Sequence, residues 1–282
     1  MPRWWTEGAE WLAGLPQTIR AQCVRWDLTI VGGIVHGSNA VVVPVRRGDQ
    51  DYVLRFAPPG HEITAQASAL QFWAGRGMVQ LFDVDHETGA MLLERLETGG
   101  SLRDVPVREA VTILGRIMRR LAVPAPPDTL STATLARTRA EELEPDWHQL
   151  GRPFDRAYLA GALHVASSLT ETDSDLAVNG DLHSEQVLRG QRERWLAVDP
   201  VLLRGDIEYD LARVLWTRID EMGDQAAIVG HFDAVVREAA VDRDRARDWV
   251  VFRTVDYWLW GLRRGLTEDP KRCQRLASAL AE

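Results

Sequence analysis

The chain has 282 residues, 45% of them apolar and 26% charged, with a formal charge of −8; it can bury one large core or two coupled lobes, and it is too acidic for a general nucleic-acid binder. Its two cysteines, Cys23 and Cys273, lie near opposite ends without zinc-ligand spacing, and no apolar run is long enough to span a bilayer. The opening "MPRWWTEGAEWLAGLP" places acids and tryptophans where a secretory signal needs an uninterrupted apolar stretch. The expectation is a cytoplasmic monomer or homodimer with no nucleic-acid and no membrane partner.

Apolar residues at helical spacing over about 5–19 predict an opening amphipathic helix. Three β-branched runs follow, "VRWDLTIV", "AVVVPV" and "DYVLRF", separated by the turn compositions "GGIVHGSN" and "RRGDQ", and they predict three antiparallel strands. A helix over roughly 61–74, closed by "GRG", leads into two more strands around "MVQLFDV" and "AMLLERL". After "ETGGSL" helical periodicity takes over, at about 108–121, 134–150 and 152–169, with the proline-rich "AVPAPPDT" as a connector. Inside this helical half, "LAVNGDLHSEQVL" and "RWLAVDPVLL" read as short strands flanking polar loops, and helices resume from about 207 to the end. The fold class expected is α+β: a small five-stranded antiparallel lobe over 1–96 and a larger, mostly helical lobe over 97–282.

A β-rich lobe, then a helical lobe carrying an Asp-bearing loop and a second Asp at a strand end, is the layout of a protein-kinase-like phosphotransferase. The loop "NGDLHSEQ", 179–186, is similar to the HGDxHxxN loop of the aminoglycoside phosphotransferases, differing at its first and last positions. "AGRGMVQLFDVD", "MLLERLETGGSL" and "AVDPVLLRGDIEYDLARVL" resemble the branch that contains the streptomycin and hydroxyurea kinases. The resemblance implies a two-lobed fold that uses ATP or GTP with Mg2+ to phosphorylate a hydroxyl of an aminoglycoside-like or related antibiotic, in resistance or self-protection. It puts Asp181 on the substrate hydroxyl as the catalytic carboxylate, with His183 at the loop's second histidine position. Gln186 and Asp199 take the magnesium positions, hard oxygen donors that suit that ion.

For the nucleotide, the resemblance places Gly37, Ser38 and Asn39 in the loop over the phosphates. Arg55 stands where the family has its phosphate-binding lysine, and it stays charged but forks differently. The acidic partner expected on the following helix aligns with Gln66, which makes Glu62, one turn earlier, the replacement. Glu94 to Leu96 fall where the family's backbone holds adenine.

Asp206 and Glu208, in the loop after Asp199, are the expected acceptor contacts. The C-terminal helices add Asp220, Glu221, Asp256, Trp216, Trp258 and Trp260, although each taken singly reads more simply as solvated face or core. Acids with aromatics suit a cationic, hydroxyl-bearing small molecule. Asp210 is expected to hydrogen-bond the catalytic loop. The departures at Arg55, Gln66, Asn179 and Gln186 define the alternatives: a catalytically impaired pseudokinase that binds nucleotide or acts as a scaffold, or a kinase for a biosynthetic intermediate.

Overall fold

The computed structural model describes residues 8–36, 40–58, 63–97, 99–171 and 174–280. The chain divides into two compact units, 1–99 with 189–196, and 100–188 with 197–282.

The first unit opens with α1 (Gly8–Arg25), which runs six residues past the expected end at about 19; the expected start at 5–7 lies outside the described residues. Leu15, Ile19 and Cys23 repeat at four-residue steps and pack on the sheet, which carries the helix through the first residues of "VRWDLTIV"; tertiary packing overrides their strand propensity. The strands are β1 (Thr29–Ile30), β2 (Val35–His36), β3 (Val41–Arg47), β4 (Gln50–Phe56), β5 (Leu81–Asp85) and β6 (Ala90–Glu94). They form an antiparallel sheet in the order β1-β3-β4-β6-β5, with β2 pairing β3 beside β1. The expected first strand is thus divided, and its last residues and the following turn pair separately with β3. Val41, Val43 and Val45 of β3, with Leu54 and Phe56 of β4, face α1 in one core. Strand alternation then turns Arg55 to the opposite face, where it is only 4% exposed. Helix α2 (Ile63–Trp73) lies between β4 and β5 in the chain and buries Gln66.

A feature the sequence reading did not anticipate is the excursion of residues 189–196 into this unit. Arg192 ties it down, donating to the carbonyls of Gly75 (2.7 Å) and Met78 (2.9 Å) and to Glu94 Oε2 (2.9 Å).

The second unit is helical: α3 (Val107–Leu121), α4 (Thr132–Gln149), α5 (Arg156–Leu169), α6 (Leu211–Trp216), α7 (Gln225–Ala239), α8 (Arg243–Arg263) and α9 (Glu268–Leu280). Side chains of Ser131, Asp155, Asp224 and Asp242 cap the starts of α4, α5, α7 and α8, which fixes where those helices begin. Two short antiparallel ladders interrupt the helices: β7 (Ala177–Val178) with β10 (Leu203–Arg204), and β8 (Val187–Leu188) with β9 (Leu196–Ala197). Val178 and Leu203 rest on a core built from Trp147 of α4, Leu159 of α5 and Trp249, Phe252 and Val255 of α8. The polar loop between β7 and β8 is therefore anchored on packed helices. Among the described residues no helix is long and apolar enough to cross a membrane.

Candidate active site

The loop 179–186 is closed at both ends by the segment that follows β9. Val201 N–H donates to Asn179 O and Val198 N–H to Gln186 O, each at 2.8 Å. Asp199 lies between these two tethers, so residues separated by 18 positions belong to one local structure. Asp199 has φ of 50°, left-handed backbone that a non-glycine residue adopts at a cost and that recurs at functional sites. Gly180 has φ of 82°, and a Cβ there would lie 2.6 Å from Val201 O. A glycine is required at that point.

Asp181 is the most connected group of the loop. Its N–H donates to Asn179 Oδ1 at 3.2 Å, Oδ2 accepts Gln186 Nε2 at 3.0 Å, and Oδ1 lies 2.8 Å from Arg213 Nε. Burial raises its pKa above the usual carboxylate range, while Arg213 and the Gln186 hydrogen bond pull it back. Its side chain remains 34% exposed, so the oriented carboxylate is reachable. Gln186, having given its amide N–H to Asp181, keeps a buried Oε1 with no hydrogen-bond partner among the described residues. An orphaned buried oxygen on a residue whose backbone is tethered to Val198, next to Asp199 in the chain, is the donor type that a hard cation takes, so the residues present fit magnesium.

His183 is buried, and desolvation, aided by Arg213, drops its pKa to about 3. It is a neutral imidazole at physiological pH, which makes it a brace or hydrogen-bonding group rather than a proton carrier. Asp210 carries the contact expected of it: the N–H groups of Gly180 and Leu182 donate to its carboxyl, and full burial pushes its pKa up to about 7.

The residues expected to meet an acceptor are placed differently from one another. Asp206 turns inward, 6% exposed, its Oδ2 accepting Arg245 Nε at 2.8 Å and Trp249 Nε1 at 2.7 Å. Its carboxylate is committed to partners inside the second unit instead of to a ligand. Glu208 is half-buried, and desolvation raises its pKa to about 7. Trp216, Trp258 and Asp256 are buried.

In the second unit a cavity of about 310 Å³ opens between α4 and α8, with walls that include Arg139, Tyr209, Arg253, Asp256, Tyr257 and Trp260. It adjoins the loop through Arg213, which pairs with Asp181 and donates to Tyr257 Oη at 3.4 Å. Arg213, Arg253 and Tyr257 are the residues the sequence reading passed over. Arg213 lies in the helix that starts directly after Asp210, and Arg253 in the helix that carries Asp256, but the direction of an arginine has no sequence signal.

In the first unit Arg55 and Gln66 are both buried. Glu94 accepts Gln80 N–H at 3.2 Å as well as Arg192, and with Leu96 it lines a groove of about 980 Å³ at the end of β6. Gly37, Ser38, Asn39 and Glu62 lie outside the described residues.

Solved structures share this architecture. The crystal structure of aminoglycoside phosphotransferase APH(4)-Ia superposes with a TM-score of 0.65 at 17% identity, over 95% of this chain and 98% of that one. Choline kinase LicA from Streptococcus pneumoniae gives 0.62 at 14% identity, over 95% and 99%. The fold is that of the kinase-like phosphotransferases. Residues 25–265 match the family model of the aminoglycoside/hydroxyurea antibiotic resistance kinases. Streptomycin 6-kinase of Streptomyces griseus is 38% identical over 98% of this chain and 92% of its own length, and hydroxyurea phosphotransferase of Kitasatospora aureofaciens is 33% identical over 97% and 81%. The chain belongs to this family of small-molecule kinases.

Proposed function

We propose that the protein transfers the γ-phosphoryl group of a nucleoside triphosphate to a hydroxyl of a small, antibiotic-like molecule, with Asp181 orienting that hydroxyl and accepting its proton. The observation that carries this reading is the Asp181 carboxylate, held at both oxygens by Arg213 and Gln186 yet still accessible. A fixed carboxylate needs no reorganisation when the reaction begins, and phosphoryl transfer depends mainly on such positioning. Asp210 supports the loop from beneath, and neutral His183 packs within it without adding charge.

Gln186 Oε1 and Asp199 are the groups that would hold magnesium, whose charge would offset that of the phosphates when bound. Arg55 is the candidate phosphate-binding cation of the first unit, and the backbone from Glu94 to Leu96 the candidate adenine contact. The AMP-bound and AMP-PNP-bound structures of fold relatives are consistent with nucleotide use. A cytoplasmic working place follows from the need for ATP and magnesium, and the two cysteines are buried and free.

Replacing Asp181 by Asn keeps shape and hydrogen bonding but removes the proton acceptor. Turnover should fall by about 10²–10⁴-fold with nucleotide affinity nearly unchanged. The measurement is mass-spectrometric detection of a phosphate adduct on streptomycin, hydroxyurea and other hydroxyl-bearing antibiotics incubated with ATP or GTP and magnesium. Equal product from the wild type and Asp181→Asn would remove Asp181 from the chemistry.

A further inference from the structure

Most of the polar groups in the wall of the cavity between α4 and α8 are committed to one another. Arg139 Nε meets Asp256 Oδ1 at 2.7 Å, and Arg253 Nη1 lies 3.5 Å from Asp256 Oδ2. Tyr257 Oη donates to Asp269 Oδ2 at 3.0 Å and accepts from Arg213. Tyr209 differs from them. It lines the same cavity and is only 7% exposed, yet among the described residues its hydroxyl makes no hydrogen bond. A buried phenol oxygen without a partner has given up its bonds to water for nothing, a cost that a molecule entering the cavity would remove.

The Tyr209 ring is held in place from α8. The Arg253 guanidinium lies 4.0 Å from its centre, and the Trp249 ring meets it at 5.3 Å with the planes 67° apart. Trp249 is fixed in turn by its Nε1–H on Asp206 Oδ2 at 2.7 Å. Burial raises the Tyr209 pKa above that of an ordinary phenol, so at neutral pH the hydroxyl is un-ionised and both donates and accepts. Its position in the chain ties the cavity to the catalytic loop. Tyr209 stands in the turn Ile207–Asp210 that leads into α6. Asp210, the next residue, takes the N–H groups of Gly180 and Leu182, and Arg213, one turn further, pairs with Asp181. A molecule held at Tyr209 Oη is therefore held by the same rigid stretch that fixes Asp181.

We propose that this cavity takes the acceptor and that Tyr209 is its specificity-determining contact, the hydroxyl hydrogen-bonding an oxygen of the bound molecule. The proposal rests on the reading of this protein as a phosphotransferase and names a residue that selects the substrate of that same site.

Tyr209→Phe tests it, because it keeps the ring and its contacts and removes only the hydroxyl. Titration calorimetry on the full chain with streptomycin and with hydroxyurea should show binding of at least one of the two. The variant should bind that probe about 2–10-fold more weakly, the range of one uncharged hydrogen bond, with its affinity for ADP unchanged. The ligand-free protein loses no bond, so the melting temperature should stay level or rise, whereas a hydroxyl with a structural role would lower it. Leu135→Phe, which narrows the cavity from α4, should weaken the same probe and leave ADP alone. Unchanged affinity in Tyr209→Phe, equal weakening of probe and ADP, or no binding of either probe at millimolar concentration would overturn the proposal. A variant that melts several degrees lower or does not fold would show a structural hydroxyl and overturn it as well. Phosphate transfer is read separately, by mass spectrometry with ATP and magnesium. Weakened binding in the variant without transfer by the wild type counts against the phosphotransferase reading alone; transfer by both proteins with the same KM for the acceptor sinks the role of Tyr209 and leaves phosphoryl transfer standing.

Discussion

At the scale of single residues, burial changes what several carboxylates are. Asp210 sits under the catalytic loop with its pKa pushed from 3.8 up to about 7, so the folded protein keeps a proton that the unfolded chain has lost. Ionising Asp210 in place is unfavourable, and its contribution to stability is therefore full below about pH 4 and lost as the pH rises through about 7. Glu208, raised from 4.5 to about 7, acts in the same direction. Melting temperature measured from pH 5 to 8 should decline, less steeply below about pH 6.5, where His183, protonated only in the unfolded chain, acts in the opposite direction, and Asp210→Asn, which keeps an acceptor oxygen but cannot ionise, should make the decline shallower. An identical slope in the variant would mean that Asp210 does not titrate there. His183 follows the opposite rule for a base: burial keeps it neutral, so no histidine transition from this residue is expected near neutral pH.

At the scale of elements, the catalytic loop is accurate because rigid pieces hold both of its ends. Its two tethers, to Val198 and Val201, are backbone hydrogen bonds, and the ladder of β7 and β10 lies on the core of α4, α5 and α8. Another close contact holds the helical unit together: a Cβ on Gly115 of α3 would come within 2.8 Å of Val235 O and 2.9 Å of Glu238 Cβ on α7. Gly115→Ala gains helix propensity, worth about 1 kcal/mol, but it forces the two helices apart, and overpacking costs about 1–3 kcal/mol. A net destabilisation is expected, visible as a lower denaturant midpoint. A higher midpoint would show that α3 and α7 can separate without loss. The pattern of β3 and β4 was legible in the sequence, because their period-two burial leaves its mark in the order of residues, whereas β1 and β2, two residues each and exposed, carry no such mark. The end of α1 was not legible either, since its last turn is held by packing on the sheet rather than by its own propensity.

For the whole molecule, a ligand that binds only the folded chain stabilises it by mass action. ATP or GTP with magnesium at about 100 times its dissociation constant adds about 2.7 kcal/mol, a shift of roughly 5–10 °C for domains of this size. The shift should shrink when magnesium is chelated and when Arg55 is replaced by Met. Its absence with both nucleotides would count against the use of either as phosphate donor. The division of the chain at 99–100 lies close to the point where sequence periodicity changes from strand to helix, but the return of residues 189–196 to the first unit lies beyond what periodicity can express. That return depends on the Arg192 guanidinium meeting two carbonyls and Glu94, about a hundred positions away in the chain.

The sequence by itself determined the order of strands and helices, the loop from Asn179 to Gln186, the second aspartate 18 positions beyond Asp181, and the family to which these belong. These are local or ordered patterns, and turn chemistry, strand alternation and helix periodicity write them directly into the chain. Only the tertiary structure decided the electrostatics of the helical unit. Composition counts charges but does not pair them: Arg139 and Asp256 are separated by 117 positions and meet at 2.7 Å. Carboxylates that read as open to a cation became internal ion pairs, and arginines with no sequence signal came to face Asp181 and the cavity beside it. Coulomb energy depends on distance and on burial, and both are set only when the helices pack.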